Sequence, residues 1–156
     1  MNLHHSHFSR QANSLSYTPK KMSKNLTANQ LNKMKKVTIP DLIAKAEKRF
    51  NKFIRERDKH LGCISCGGAV ENAGHYYSAG QYPPLRFNED NVHGQTIACN
   101  KWRHGNLIEY RKGLVKRIGE DRVRKLDMIA DEYKRNGFKW DRFSLIEIIE
   151  RYEEWK

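Results

Sequence analysis

Apolar residues in the stretch 40–60 recur at three- and four-residue steps: Ile43, Ala46, Phe50, Phe53 and Ile54. That spacing places them on one stripe of a helix. Pro40 suits its first turn, Asp41 its positive N-terminal end, and Gly62 can terminate it. Lys45, Lys48, Arg49, Lys52, Arg55, Arg57 and Lys59 cover much of the remaining surface. Helical periodicity returns after Cys99. Asn106–Lys116 and Glu120–Asn136 read as helices separated by Gly119. Leu126, Ile129, Ala130 and Tyr133 give the second its stripe, and Gly137 ends it. A last helix is expected from about Asp141, with Leu145, Ile148, Ile149, Tyr152 and Trp155 on one side. Between the first helix and these, the pattern is irregular. Ala69–Tyr77 and Asn91–Ile97 read as short strands, joined by a loop containing Gly80, Pro83 and Pro84. Residues 1–36 are polar, rich in Ser, Asn and Lys, and show no apolar period, so a disordered tail is expected there.

The chain has 156 residues and a formal net charge of +12, which fits one small domain with extensions. The charge is uneven. Residues 1–36 hold seven bases and no acid (+7), and residues 37–62 seven bases and four acids (+3). Residues 63–100 hold one base and three acids (−2), and residues 101–156 fifteen bases and eleven acids (+4). Basic flanks around a slightly acidic middle suit a phosphate backbone, bound with release of counterions. The competing reading is an ordinary solvated surface. His4, His5 and His7 belong to the tail, which offers no framework to fix metal ligands. No apolar run approaches a membrane span, and MNLHHSHFSR has no apolar signal core. Three cysteines, an odd number, fit a disulfide framework poorly and a reduced, cytoplasmic setting better.

All three cysteines lie in the irregular middle. Cys63-Ile-Ser-Cys66-Gly67-Gly68 is a C-x2-C knuckle, whose spacing lets two thiolates grip one tetrahedral ion while the glycines turn backbone amides towards sulfur. Cys99 is a candidate third ligand. A paired knuckle would need cysteine at position 96, where Thr96 stands, and a neutral hydroxyl is a poor zinc ligand. His93 and His60 are candidates for the fourth place, and His104 a weaker one. The alternatives are water in that place or loss of the metal. A Cys3His site completed by His93 is the favoured form.

The same segment carries Ala73-Gly74-His75, Asn91, and Cys99-Asn100. His75 would end the first strand, Asn91 would open the second, and Asn100 would start the next helix. Phosphodiester hydrolysis needs such a set. A neutral imidazole takes a proton from the attacking water. A side-chain amide can fix the imidazole tautomer. An amide oxygen can help hold Mg²⁺ against phosphate and leaving oxygen. The fold class expected is therefore α+β and mainly helical. It has a basic tail (1–36), a basic amphipathic helix (37–62), a metal-stapled ββα core (63–105) and C-terminal helices (106–156).

The stretches CISCGG, AGHYYSAGQYPPLRF, NVHGQTIACN and GNLIEYRKGLVKRIG resemble the NinG (Rap) recombination proteins of lambdoid bacteriophages, over roughly residues 38–135. That family is similar in turn to HNH, or His-Me finger, endonucleases. The resemblance implies a ββα-metal nuclease acting on branched DNA, such as D-loops and Holliday junctions, in phage recombination within the host bacterial cytoplasm. By position it implies His75 as general base, Asn91 as the middle asparagine that orients, and Asn100 as the residue that binds catalytic Mg²⁺ or Mn²⁺. Cys63, Cys66 and Cys99 match structural Zn²⁺ ligands. Two departures stand out. HNH motifs often place an acidic metal ligand before the histidine, where this chain has Gly74. The magnesium would then lean on Asn100, with His93 or Glu109. Thr96 breaks the second cysteine pair.

Lys48, Arg49, Lys52, Arg55, Arg86, Lys101 and Arg103 are the expected DNA contacts. Phage or host recombination proteins are further partners the resemblance implies. A symmetric dimer would suit paired cuts. The rival readings are a non-catalytic, zinc-stabilised DNA-binding recombination module and a small RNA-binding or scaffold protein.

Overall fold

The computed structural model describes residues 36–153, together with 27–29 and 32. The expected disordered tail falls largely outside the described residues, as do His4, His5, His7 and Trp155. The described part is α+β and mostly helical, with a two-stranded sheet. No helix in it is long and apolar enough to cross a membrane.

Helix α1 spans Ile39–Asp58. Its N-cap is Thr38, whose hydroxyl oxygen accepts from the Asp41 N–H at 3.3 Å, satisfying one of the open amides of the first turn. Leu42, Ala46, Phe50, Phe53 and Ile54 form its buried stripe. Ile43, expected there, is only half buried; Leu42 takes its place one residue earlier. The stripe packs on α4, Arg142–Arg151, whose Leu145, Ile148 and Ile149 face it. Asp141 caps α4 by accepting from the Ser144 N–H at 3.0 Å. Phe50 meets Phe87 and Tyr152 edge-on at 5.7 and 5.1 Å between ring centres. Each such fully buried side chain contributes roughly 1.5–3 kcal/mol.

Strands β1, Asn72–His75, and β2, Val92–Gln95, pair antiparallel with Gly74 opposite His93 and His75 opposite Val92. Both are shorter than the expected Ala69–Tyr77 and Asn91–Ile97. One further ladder bond, Tyr76 N–H to the Asn91 carbonyl at 2.9 Å, extends the pairing past His75, and on the other edge of β2 the Gly94 carbonyl accepts from Ile64 N–H at 2.9 Å. Every residue of β2 is buried, because β2 lies between two cores. The second core joins α2, Leu107–Ile118, and α3, Glu120–Asn136, through Tyr110, Leu114, Val123, Leu126 and Ala130, with Ile64 and Leu85. Gly113 of α2 lies against the cysteine knuckle. A Cβ there would fall 1.9 Å from the Ile64 carbonyl oxygen, so only glycine admits this approach.

A buried ion cluster ties α1 to β2. Asp58 is fully buried and accepts from the Gly94 N–H at 2.7 Å. Arg57 donates to the same carboxylate at 2.7 and 3.0 Å, and Arg117 of α2 at 3.4 Å. Burial alone would push the Asp58 carboxyl up. Hydrogen bonds from His93, Arg57 and Gly94 outweigh it and hold the group well below the usual carboxylate range.

Candidate active site and thiolate cluster

The sulfurs of Cys63, Cys66 and Cys99 lie within 4.8 Å of one another. The knuckle is closed by backbone bonds from Cys63 N–H to the Gly68 carbonyl, 2.7 Å, and from Gly67 N–H to the Cys63 carbonyl, 2.8 Å. Cys99 arrives from the turn after β2, Ala98–Trp102. Thr96 stands where a paired knuckle would have its fourth cysteine. Its hydroxyl sits 3.9 Å from the Cys66 sulfur and accepts from the Cys99 N–H at 3.1 Å. Burial raises the Cys99 thiol, but hydrogen bonds from Thr96, Asn106, Cys66 and Cys63 outweigh it and leave Cys99 the more acidic thiol. Cys66 moves the other way. The Gly68 N–H favours its thiolate, but burial and the neighbouring sulfurs together raise it. Three converging sulfurs, one of them acidified, are a soft-metal donor set.

The expected fourth ligand, His93, does not join them. Its ring is 3% exposed and both nitrogens are engaged. Nε2 lies 3.2 Å from the Asp90 carbonyl, and Nδ1 lies 3.1 Å from the Arg57 guanidinium and 3.4 Å from Asp58 Oδ2. Burial lowers its pKa, so the ring is neutral at pH 7. His60 and His104 are exposed and also stand apart from the cluster.

His75 and Asn100 do come together. Both line one cleft of about 650 Å³, with Glu47, Asn51, Tyr77 and His104 also on its wall. His75 ends β1. Its Nε2 lies 2.9 Å from the Arg86 carbonyl, which can only accept, so the proton is on Nε2 and Nδ1 keeps a lone pair. Burial lowers its pKa against the smaller raising effects of the Arg86 carbonyl and of Glu47. The result is a neutral imidazole with one basic nitrogen at physiological pH.

Asn91 plays a different part from the expected one. It is fully buried and does not orient the imidazole. Its Nδ2 donates to the Tyr77 and Leu85 carbonyls at 2.9 and 3.0 Å, and its Oδ1 accepts from the Tyr77 N–H at 2.8 Å. All three bonds close the loop between the strands. That loop also carries the Arg86 carbonyl that His75 bonds.

Asn100 does not open a helix. It sits in a π-type turn, Ala98–Trp102, and α2 begins only at Leu107. Its amide has no side-chain hydrogen bond among the described residues, which leaves its oxygen available to a ligand. An acid at position 74 would have to displace the buried Gln95 side chain. A Cβ there would fall 2.0 Å from Gln95 Oε1, and the Gly74 carbonyl accepts from Tyr110 at 2.8 Å. The carboxylate on the cleft wall is instead Glu47, paired to Arg86 at 2.5 Å. Asn51, one turn further along α1, has a buried amide oxygen with no partner. Sequence reading missed Glu47 and Asn51; their four-residue spacing beside the apolar stripe was the available signal. Glu109 bonds Lys112 at 2.8 Å outside the cleft, and His93 does not line it either.

Of the expected DNA contacts, Lys48, Lys52, Lys101 and Arg103 are exposed and Arg55 is half buried. Arg49 is tied to α4 through the Ile149 carbonyl and Glu153, and Arg86 to Glu47 and the Ala79 carbonyl.

The family model described as Bacteriophage Lambda NinG protein matches residues 3–155. The chain belongs to the NinG family. Among curated NinG relatives, Protein ninG of Escherichia phage lambda is 44% identical over 101 residues, covering 63% of this chain and 47% of the relative. Protein ninG of Salmonella phage P22 is 44% identical over 97 residues, covering 60% and 46%. That of Escherichia phage 933W is 43% identical over 101 residues, covering 63% and 48%. In each case the aligned NinG segment is about half the relative's length. No solved structure matches the chain.

Proposed function

We propose that this NinG-family chain is a metal-dependent endonuclease that nicks branched DNA during phage recombination, with a ββα-metal core of the HNH type. One observation carries the reading. His75 is held neutral, with Nε2–H committed to the Arg86 carbonyl and Nδ1 unprotonated, in a cleft that also presents the unpartnered amide of Asn100. Nδ1 accepts a proton from the attacking water. Asn100, with the Glu47 carboxylate that lines the same cleft, is the donor set for a hard cation. When bound, Mg²⁺ or Mn²⁺ supplies positive charge to the scissile phosphate and its leaving oxygen. The three cysteines fit a structural Zn²⁺, held by Cys63, Cys66 and Cys99 with the fourth place left to water. Lys48, Lys52, Lys101 and Arg103 supply phosphate contacts.

The non-catalytic DNA-binding module is the second reading, favoured by the missing carboxylate at Gly74. A nicking assay on a four-way junction with Mg²⁺, Mn²⁺ or neither decides between them. Metal-dependent nicking lost in His75→Ala, with junction binding kept, supports the enzyme. A wild type that binds but never nicks, or a His75→Ala variant that nicks normally, overturns it.

A further inference from the structure

The backbone after Cys99 is shaped to push one short segment outward. Ala98–Trp102 form the π-type turn, and His104, Gly105 and Asn106 have φ of 48°, 85° and 48°. Three successive residues thus lie in the left-handed region, two of them not glycine, which a chain adopts only when its surroundings enforce it. The enforcement comes from beneath. Gly105 N–H donates to the Cys99 carbonyl at 2.9 Å, Gln95 Nε2 to the Gly105 carbonyl at 2.8 Å, and Asn106 Nδ2 to the Cys99 sulfur at 3.6 Å. The segment presented is Lys101-Trp102-Arg103. All three are exposed, and Trp102 is 78% exposed. Asn100 before it and His104 after it both line the cleft.

A free indole on a braced turn gains nothing for the fold. Its flat face is suited to stacking, and a cation on each side of it in a +12 chain points to a polyanion rather than to an apolar protein surface. We propose that Lys101-Trp102-Arg103 is a nucleobase-binding element. Trp102 stacks on an unpaired or unstacked base of the strand whose phosphate enters the cleft, and Lys101 and Arg103 hold neighbouring phosphates. A continuous duplex offers no free base face, so the element selects DNA with an unpaired base beside the scissile position. The inference rests on the reading of the cleft as a phosphodiester site.

The test is equilibrium binding of the full chain to a labelled duplex and to the same duplex with a single-base bulge, without added divalent cation so that nothing is cut. The wild type binds the bulged DNA more tightly and its tryptophan emission is quenched. Trp102→Ala weakens bulge binding about ten-fold while duplex binding stays within about two-fold. Trp102→Phe keeps most of the preference, and Lys101→Ala weakens both DNAs alike. A Trp102→Ala variant that melts like wild type and keeps the bulge-to-duplex ratio, or loses both affinities equally, overturns the proposal. Binding is read independently of cleavage. A bulge preference in a chain that nicks nothing sinks the nuclease reading alone, and nicking without that preference sinks this one alone.

Discussion

The Nε2–H of His75 donates to the main-chain carbonyl of Arg86 at 2.9 Å, across a loop that returns the chain to β2. The oxygen that fixes the tautomer is a main-chain atom, so it does not titrate and no substitution removes it. The basic nitrogen is therefore set by the path of the loop, and the loop is set by Asn91.

Asn91→Ala removes three hydrogen bonds, one of them fully buried, and leaves the Tyr77 N–H without its partner. A destabilisation of about 1–3 kcal/mol is expected, read as a lower urea midpoint. Nicking should slow as the Arg86 carbonyl loses its position, and the acid limb of the rate should move to lower pH, because that carbonyl raises the His75 pKa.

The pH profile of nicking follows from His75. Burial lowers its pKa below the ordinary 6.5, and the neutral ring is the active form. Single-turnover rates should stay flat as pH falls through 6.5 and drop only below it. Glu47→Gln removes a carboxylate that favours the charged ring, so its limb should lie further to the acid side. A limb at or above 6.5 would remove His75 from the role of base.

Stability should fall with acid in two stages. His75 and His93 are both held neutral when folded, with pKa values below 6.5. The unfolded chain therefore binds more protons, and stability declines as pH drops below about 6.5. Asp58 is held well below the usual carboxylate range. Its contribution is present above the unfolded value of about 3.9 and is lost as pH falls beneath that. Asp58→Asn should cost about 3–5 kcal/mol at neutral pH, since it leaves two half-buried guanidiniums without their counter-charge and the Gly94 N–H without its carboxylate. It should also flatten the second stage in urea midpoints measured from about pH 7.5 down to about pH 2.

One zinc per chain is expected by metal analysis, and Cys99→Ser should release it and lower the melting temperature. Thr96→Cys places a fourth thiolate beside Cys66, where the hydroxyl now stands 3.9 Å from the sulfur. Competition against a chelator should show tighter zinc in that variant. Metal-free wild type with an unchanged melt would show that the cysteines pack without an ion.

Asn100→Ala should raise the Mn²⁺ concentration for half-maximal nicking, and Asn100→Asp should lower it, since a hard cation prefers the charged oxygen. The turn is held by main-chain bonds, Asn100 N–H to the Thr96 carbonyl and Gly105 N–H to the Asn100 carbonyl. Both variants should therefore fold. Unmoved midpoints in the two would send the search to Glu47.

The helices were legible because their stripes repeat. Glu120–Asn136 spans the residues expected, and α1 differs in the exchange of Ile43 for Leu42, a choice that three- and four-residue steps leave open. The cysteine cluster was legible from spacing and Thr96 from its absence of sulfur. The His93 assignment failed because its partners, Arg57 and Asp58, belong to a helix that meets β2 only in three dimensions. The turn at Asn100 was illegible for a similar reason. Its left-handed residues His104 and Asn106 are held there by Cys99 and Gln95, not by their own preferences. Glu47 and Asn51 read as the polar side of a helix until β1 was laid against them.

Gly113 has a meaning beyond packing. A glycine inside a helix normally costs about 1 kcal/mol relative to alanine, yet here it is the only residue that lets α2 rest on the Ile64 carbonyl between Cys63 and Cys66. The helix and the metal knuckle therefore share one degree of freedom. A single methyl group at position 113 would register at the sulfurs, so tolerance to substitution there gauges how tightly metal loading and the second core are geared together.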